Sequence, residues 1–335
     1  MVHTSLANHP SRRALLTLAT AALTAGATPA WARSGPEAAM SAASLAAPGK
    51  PWLVGGRLLH STVLQSFAFD EENGLLYALQ VVQGGVRLKG EQRTYTHAER
   101  VRRGDLCLNR LTTDGRLTGA MHLLGFGHGT AMGVEETSRA AMLWTEWDAS
   151  SSGTGRGLCR FPFADGQVLR RDSGRLSVYR PVPGSSGNAV SVDPAAGTLL
   201  LRYRKAGRSR YRLYDLRRFK SGDFTPRTDF AQPGTELGLP YQGLALHGTD
   251  AYQLLGTAYG NGNTPASGGN ARLYRIDAKR PSTVRRVRET TAPTLRPREP
   301  EGLAVLRGTG PWLYLGYTQG PAGNRAFSLY RKPIQ

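Results

Sequence analysis

Glu299-Pro300-Glu301-Gly302-Leu303-Ala304-Val305 places two carboxylates ahead of a short run of small and apolar residues. The chain repeats this form four more times. The other copies are Gln65-Ser66-Phe67-Ala68-Phe69-Asp70, Thr130-Ala131-Met132-Gly133-Val134-Glu135, Asn188-Ala189-Val190-Ser191-Val192-Asp193 and Gln242-Gly243-Leu244-Ala245-Leu246-His247. Each copy is a polar residue, then small and apolar residues, then a turn. Aligning Gln65, Thr130, Asn188, Gln242 and Glu301 gives spacings of 65, 58, 54 and 59 residues. A near-even period built from strand-like pieces is the mark of units that bury their apolar faces only against one another.

Working outward, each copy is followed by a second apolar strand: Leu75 to Leu79, Ala141 to Thr145, Thr198 to Leu201, Ala251 to Leu255 and Trp312 to Leu315. A third follows at a variable distance, at Asp105 to Leu108, Gly157 to Phe161, Tyr211 to Asp215, Ala271 to Arg275 and Phe327 to Arg331. Short strands broken by Gly, Asp and Asn turns predict an all-β fold. Four strands per unit around a central channel predicts a five-bladed β-propeller. Arginine-rich outer strands are expected over Leu117 to Leu124, Gly174 to Tyr179, near Phe224 to Phe230, and over Thr283 to Arg288. Blade five then lacks a fourth strand. An open edge there would invite association. Trp52 to Leu59 is the remaining strand-like segment, so it is expected to pair beside Phe327 to Arg331 and close the ring.

Ahead of this segment, Arg12-Arg13 precede an uncharged Ala- and Leu-rich run, and Ala30-Trp31-Ala32 offers a small-x-small cleavage site. This predicts a secretory signal over residues 1–32. Ser11-Arg12-Arg13-Ala14-Leu15-Leu16-Thr17 has the twin-arginine form, with Leu15 and Thr17 where that pattern usually has Phe and Lys. Residues 33–50, rich in Ala, Ser, Gly and Pro, read as a flexible linker, and 51–335 as the propeller. No later stretch is long and apolar enough to span a bilayer. The expected protein is secreted, extracellular or wall-associated, and monomeric.

The formal charge of +19 becomes +17 once Arg12 and Arg13 leave with the signal (19 − 2). Such a balance in an exported protein points to a polyanion, with wall polymers and lipid head groups favoured over nucleic acid outside a cell. Biased residue usage is the plainer explanation of the same count. Arg202, Arg204, Arg208, Arg210 and Arg212 form the densest run, and alternation on strands predicts one basic face. Cys107 and Cys159 occupy matching places in adjacent blades, too far apart for a bridge, and read as buried free thiols.

In a propeller the first strand of each blade lines the channel. Gln65, Thr130, Asn188, Gln242 and Glu301, with His128 and Glu299 just upstream, are therefore the candidate ligand-binding residues. Amides suit sugar hydroxyls because each offers donor and acceptor. The alternative role is bonding to neighbouring blades and water. Trp144-Thr145-Glu146-Trp147-Asp148 adds two aromatic faces and two carboxylates. Glu146 with Glu299 or Glu301, assisted by His128, is also a candidate catalytic set for glycoside cleavage, which needs carboxyls about 5 to 9 Å apart. The histidines show no H-x-x-x-H spacing, so no metal site is expected. No nucleotide-binding loop or nucleophile elbow is present, and no cofactor is expected.

Gly125-Phe126-Gly127-His128-Gly129 with Leu143-Trp144-Thr145-Glu146 resembles the TagC-like β-propeller family. So do Arg202-Tyr203-Arg204 with Leu213-Tyr214-Asp215, Tyr241-Gln242-Gly243 and Arg298-Glu299-Pro300-Glu301-Gly302. That family includes proteins labelled teichoic acid biosynthesis protein C and the propeller of staphylococcal phage receptor-binding proteins. The resemblance covers roughly residues 60 to 332 and implies contact with wall teichoic acid or a related glycan. The expected function is binding of such a polymer at the channel mouth. The alternatives are a glycoside hydrolase or lyase on the same face, and a partner-binding signalling propeller.

Overall fold

Apolar residues at nearly every position of the second strands require cover on both faces, and sheets stacked side by side around an axis supply it. The computed structural model describes residues 45–137, 140–260 and 262–334. The signal expected over residues 1–32, and residues 33–44 of the expected linker, lie outside the described residues. Blade one is built from Leu64–Asp70, Leu75–Val81, Leu106–Thr112 and Leu117–Leu124, and blade two from Gly133–Glu135, Met142–Ala149, Gly155–Pro162 and Ser177–Tyr179. Blade three is Ser186–Asp193, Thr198–Lys205, Arg208–Asp215 and Thr228–Ala231. Blade four is Tyr241–His247, Asp250–Leu255, Arg272–Asp277 and Ser282–Arg288. Blade five is Pro297–Leu306, Trp312–Gln319 and Ala326–Pro333, completed by Lys50–Gly56. The inner strands touch in cyclic order, one to two through to five and back to one, so the ring is closed. The chain is a five-bladed β-propeller.

The closing strand pairs antiparallel with Ala326–Pro333, with Pro51 opposite Tyr330, Leu53 opposite Leu329 and Gly56 opposite Phe327. Trp52 stands edge-on to Phe69 of blade one and to Tyr314 of blade five, at centroid distances of 5.5 and 5.1 Å. The latch is therefore knitted into two blades. Docking begins before it. Leu45 is buried, and Lys332 Nζ donates to the carbonyls of Leu45 and Ala47 at 3.0 and 2.6 Å. Residues 45–50 of the expected linker are thus held against the propeller. One further strand was not anticipated: Val168–Arg170 runs parallel to the outer strand of blade one, giving that sheet five strands.

The expected single basic face does not form. A two-residue turn at Ala206-Gly207 sets Arg204 opposite Ser209 and Tyr203 opposite Arg210. Directly opposed residues share a face of the sheet. Arg202 and Arg204 therefore lie on one face of blade three, and Arg208, Arg210 and Arg212 on the other. Arg210 and Arg212 both bond to Asp229 at 2.7 Å. Cys107 and Cys159 are buried and unbridged.

Trp52→Ala should lower the unfolding free energy by about 3 kcal/mol, the low end for a large aromatic because the ring is half-buried. Val54→Ser on the same strand, at a side chain 60% exposed, should change it by less than about 0.5 kcal/mol. Urea unfolding of both variants checks this; equal effects would mean the strand does not couple the blades.

Candidate functional site

Four of the five aligned residues sit where pairing skips. The ladder between inner and second strands jumps between Leu64 and Ser66, Ser186 and Ala189, Tyr241 and Gly243, and Pro300 and Leu303. Gln65, Asn188, Gln242 and Glu301 fall in those gaps. A bulge frees its residue from the ladder and re-aims the side chain. All four lie in the first half of their inner strands, toward the end of the ring that also carries the long connections 82–105, 256–271 and 320–325.

Their partners differ. Gln242 Nε2 donates to the Gly256 carbonyl at 2.9 Å. Asn188 Oδ1 accepts from Ser185 Oγ at 3.1 Å, while its buried Nδ2 has no partner among the described residues. Gln65 is buried with no side-chain hydrogen bond among the described residues. Glu301 is buried and faces no cation, and burial, then the nearby charge of Glu299, pushes its carboxyl well above the usual range. Glu299 is half-buried; burial raises its carboxyl too, against the pull of Arg325.

Blade two departs from this pattern, and Glu146 is the reason. The inner strand begins only at Gly133, leaving Thr130 outside it. The Glu146 carboxylate reaches across from the second strand. Its Oε1 accepts from the His128 and Gly129 amides at 2.8 and 2.5 Å, and its Oε2 from the Gly155 amide. A Cβ on Gly127 would lie 2.2 Å from the Glu146 Cδ, so the loop passes the carboxylate only as glycine. Burial lifts the Glu146 carboxyl to about 7, opposed by those backbone donors. This carboxylate organises two loops and presents no free oxygen to solvent, its residue being 1% exposed. His128 is half-buried, and burial, then His97, lowers its imidazole.

Trp144 has no accessible face. It stacks on Tyr179 at 5.3 Å and donates from Nε1 to Glu135 at 3.2 Å. Asp148 holds Arg156 and Arg180, and Arg180 covers the Trp147 ring at 4.7 Å. The aromatic and acidic run of blade two is thus satisfied internally. The charged neighbour of Glu301 is Glu299.

Two features on this end go beyond the aligned residues. Arg202, Arg204, Arg208, Ser209, Gln232 and Tyr241 line a hollow of about 620 Å³ between blades three and four. Arg202 forms its floor, bonded to Gln232 Oε1 and the Gly187 carbonyl at 3.0 Å each, while Arg204 and Arg208 are exposed. Secondly, His60, Cys107 and His122 converge, though no spacing announced them.

A ring of bulged polar residues beside a basic hollow marks the loop-bearing end of the propeller. The chain belongs to the family described as the phage 5-bladed β-propeller receptor-binding platform domain, which matches residues 63–331. It is similar to a protein of Bacillus subtilis (strain 168) named as a major teichoic acid biosynthesis protein C, at 28% identity over 146 residues, 44% of this chain and 30% of the relative. The chain thus spans less than a third of that relative's length. The tail fiber of Staphylococcus aureus phage P68 shares the fold, with a TM-score of 0.63 and 19% identity over 85% of this chain and 52% of the fiber. A GH43_1 enzyme from Xanthomonas citri complexed with xylose aligns with a TM-score of 0.45 and 12% identity, over 83% of this chain and 90% of the enzyme. That last likeness is too slight to inform chemistry.

The two buried carboxyls should answer oppositely to amide substitution. Glu301 has its folded value above the ordinary 4.5, so folding loses free energy as pH rises from that value through the folded one. Glu301→Gln should therefore raise Tm at pH 7, and the gain should vanish below about pH 4. Glu146 carries the same sign of shift, yet Glu146→Gln turns an amide donor onto backbone N–H groups. It should lose roughly 1–3 kcal/mol through an orphaned donor. Thermal melts of both variants from pH 4 to 8 test the contrast.

Proposed function

We propose that this protein is an extracellular, surface-exposed receptor-binding propeller that holds a phosphate-bearing cell-wall glycan, a teichoic-acid-like polymer, on its loop-bearing end. Membership of the receptor-binding platform family carries this reading. The name of the Bacillus subtilis relative supplies the polymer class.

The chemistry of the end supports it. Gln65 and the Glu301 carboxyl offer hydrogen bonds to sugar or polyol hydroxyls. Ser186 pairs with Arg204 and Ala189 with Arg202, so the arginine hollow adjoins the strand carrying Asn188. Exposed guanidinium groups there suit phosphodiesters spaced along a polymer. Binding is favoured over turnover because Glu146, one half of the hydrolytic pair, is enclosed by backbone donors. The exported, twin-arginine route and the wall-associated location belong to this same proposal.

The test is retention of wild type, Glu301→Gln and the double variant Arg204→Ala/Arg208→Ala on immobilised wall teichoic acid, with chromatography of the polymer afterwards. Wild type should bind with strong salt dependence, and the double variant should flatten the slope of log affinity against log salt by about 1 to 2. Glu301→Gln keeps a donor and an acceptor and should leave affinity within about 2-fold. Salt-independent retention, or shortened polymer produced by wild type and not by Glu301→Gln, would overturn the proposal.

A further inference from the structure

We propose that His60, Cys107 and His122 form a binding site for a zinc-class metal ion, placed to pin the ring-closing loop to blade one. The ligand atoms of the three residues lie within 4.8 Å of one another, and the two Nε2 atoms are 3.1 Å apart. Around tetrahedral zinc, with Zn–N near 2.0–2.1 Å and Zn–S near 2.3 Å, neighbouring nitrogens stand about 3.4 Å apart and nitrogen and sulfur about 3.6 Å. Small rotations of the imidazoles reach that geometry. Two imidazoles and a thiolate form a borderline-soft donor set that suits zinc rather than calcium or magnesium.

The placement is built by register. Gln80, Cys107 and His122 are directly opposed partners across three adjacent strands of blade one, so they form one row on one face. His60 comes from the connection between the latch strand and the inner strand of blade one. The buried amide of Gln80 clamps the backbone of His60 at both ends. It accepts from His60 N at 2.9 Å and donates to His60 O at 2.8 Å. Gln80 is thus a positioning residue that seats the histidine over the row. Val82, Leu88 and Leu124 enclose Cys107 in an apolar shell, while His122 is only half-buried and leaves a way in. The nearby guanidinium of Arg100 is matched by Glu91 and Asp105.

Binding would replace the Cys107 S–H bond with a metal–sulfur bond, release that proton to solvent, and use the lone pairs of two neutral imidazoles. The fourth position would hold water.

The full chain, cleared of metal by chelation under reducing conditions, is titrated with Co²⁺ as a spectroscopic probe and then with Zn²⁺. One equivalent of Co²⁺ should give a thiolate charge-transfer band with intense four-coordinate visible absorption, displaced by Zn²⁺, and Zn²⁺ should raise Tm. Cys107→Ala should abolish the charge-transfer band. His122→Gln, on the more exposed ligand, should weaken affinity at least about 10- to 100-fold. His97→Gln should leave binding unchanged. Absence of the band in wild type, its survival in Cys107→Ala, or wild-type affinity in His122→Gln would each overturn the site. Should Cys107→Ala fail to fold, the His122→Gln titration decides.

Discussion

Five inner strands converge on one axis, and the narrowness of that axis governs the rest of the molecule. A Cβ on Gly302 would lie 2.9 Å from Ser66 Cα of blade one, and one on Gly243 would lie 2.8 Å from Gly302 C. Blades four, five and one therefore approach backbone to backbone. This explains the small residues that follow the polar position in each copy of the repeat. It also explains the bulges: an extra residue bends the strand near the axis and releases one polar side chain from the ladder. The ring of amides and a carboxyl at the mouth is a by-product of closing the ring.

Buried charge is managed by partners rather than avoided. Arg100 is held by Glu91 and Asp105, and Glu289 meets Lys332 at 2.7 Å while Arg298 donates to the carbonyls of Thr291 and Glu289. Removing one member of such a pair leaves the other uncompensated, which costs several kcal/mol. Lys332 also holds the segment leading into the latch, so closure of the ring rests on a buried ion pair as well as on Trp52. Glu301 stands apart. It has no cation and no donor among the described residues, which is a cost that folding alone does not explain and that a ligand rich in hydroxyls would offset.

The fold and the loop-bearing end were legible because their signals are local. Period, apolar runs and turn residues specify strands, and a missing fourth strand in blade five specifies the latch. The helix His97–Arg103 inside the blade-one connection carries a local signal too: Thr96 and Glu99, three residues apart, form a capping box. The roles of Glu146 and Trp144 were not readable. A carboxylate beside aromatic residues looks the same in sequence whether it faces a sugar or three backbone amides.

By itself the sequence determined the blade count, the order of strands, the closing segment and the polar residue carried by four of the five inner strands, because each depends on neighbours along the chain. Tertiary structure decided which of those residues remain available. Register across the Ala206-Gly207 turn divided the arginine run between two faces. Packing turned Trp144 inward against Tyr179, and the loop of blade two wrapped Glu146. The meeting of His60 with Cys107 and His122 depends on ring closure and three strands in register, and no spacing along one strand encodes a contact made between them.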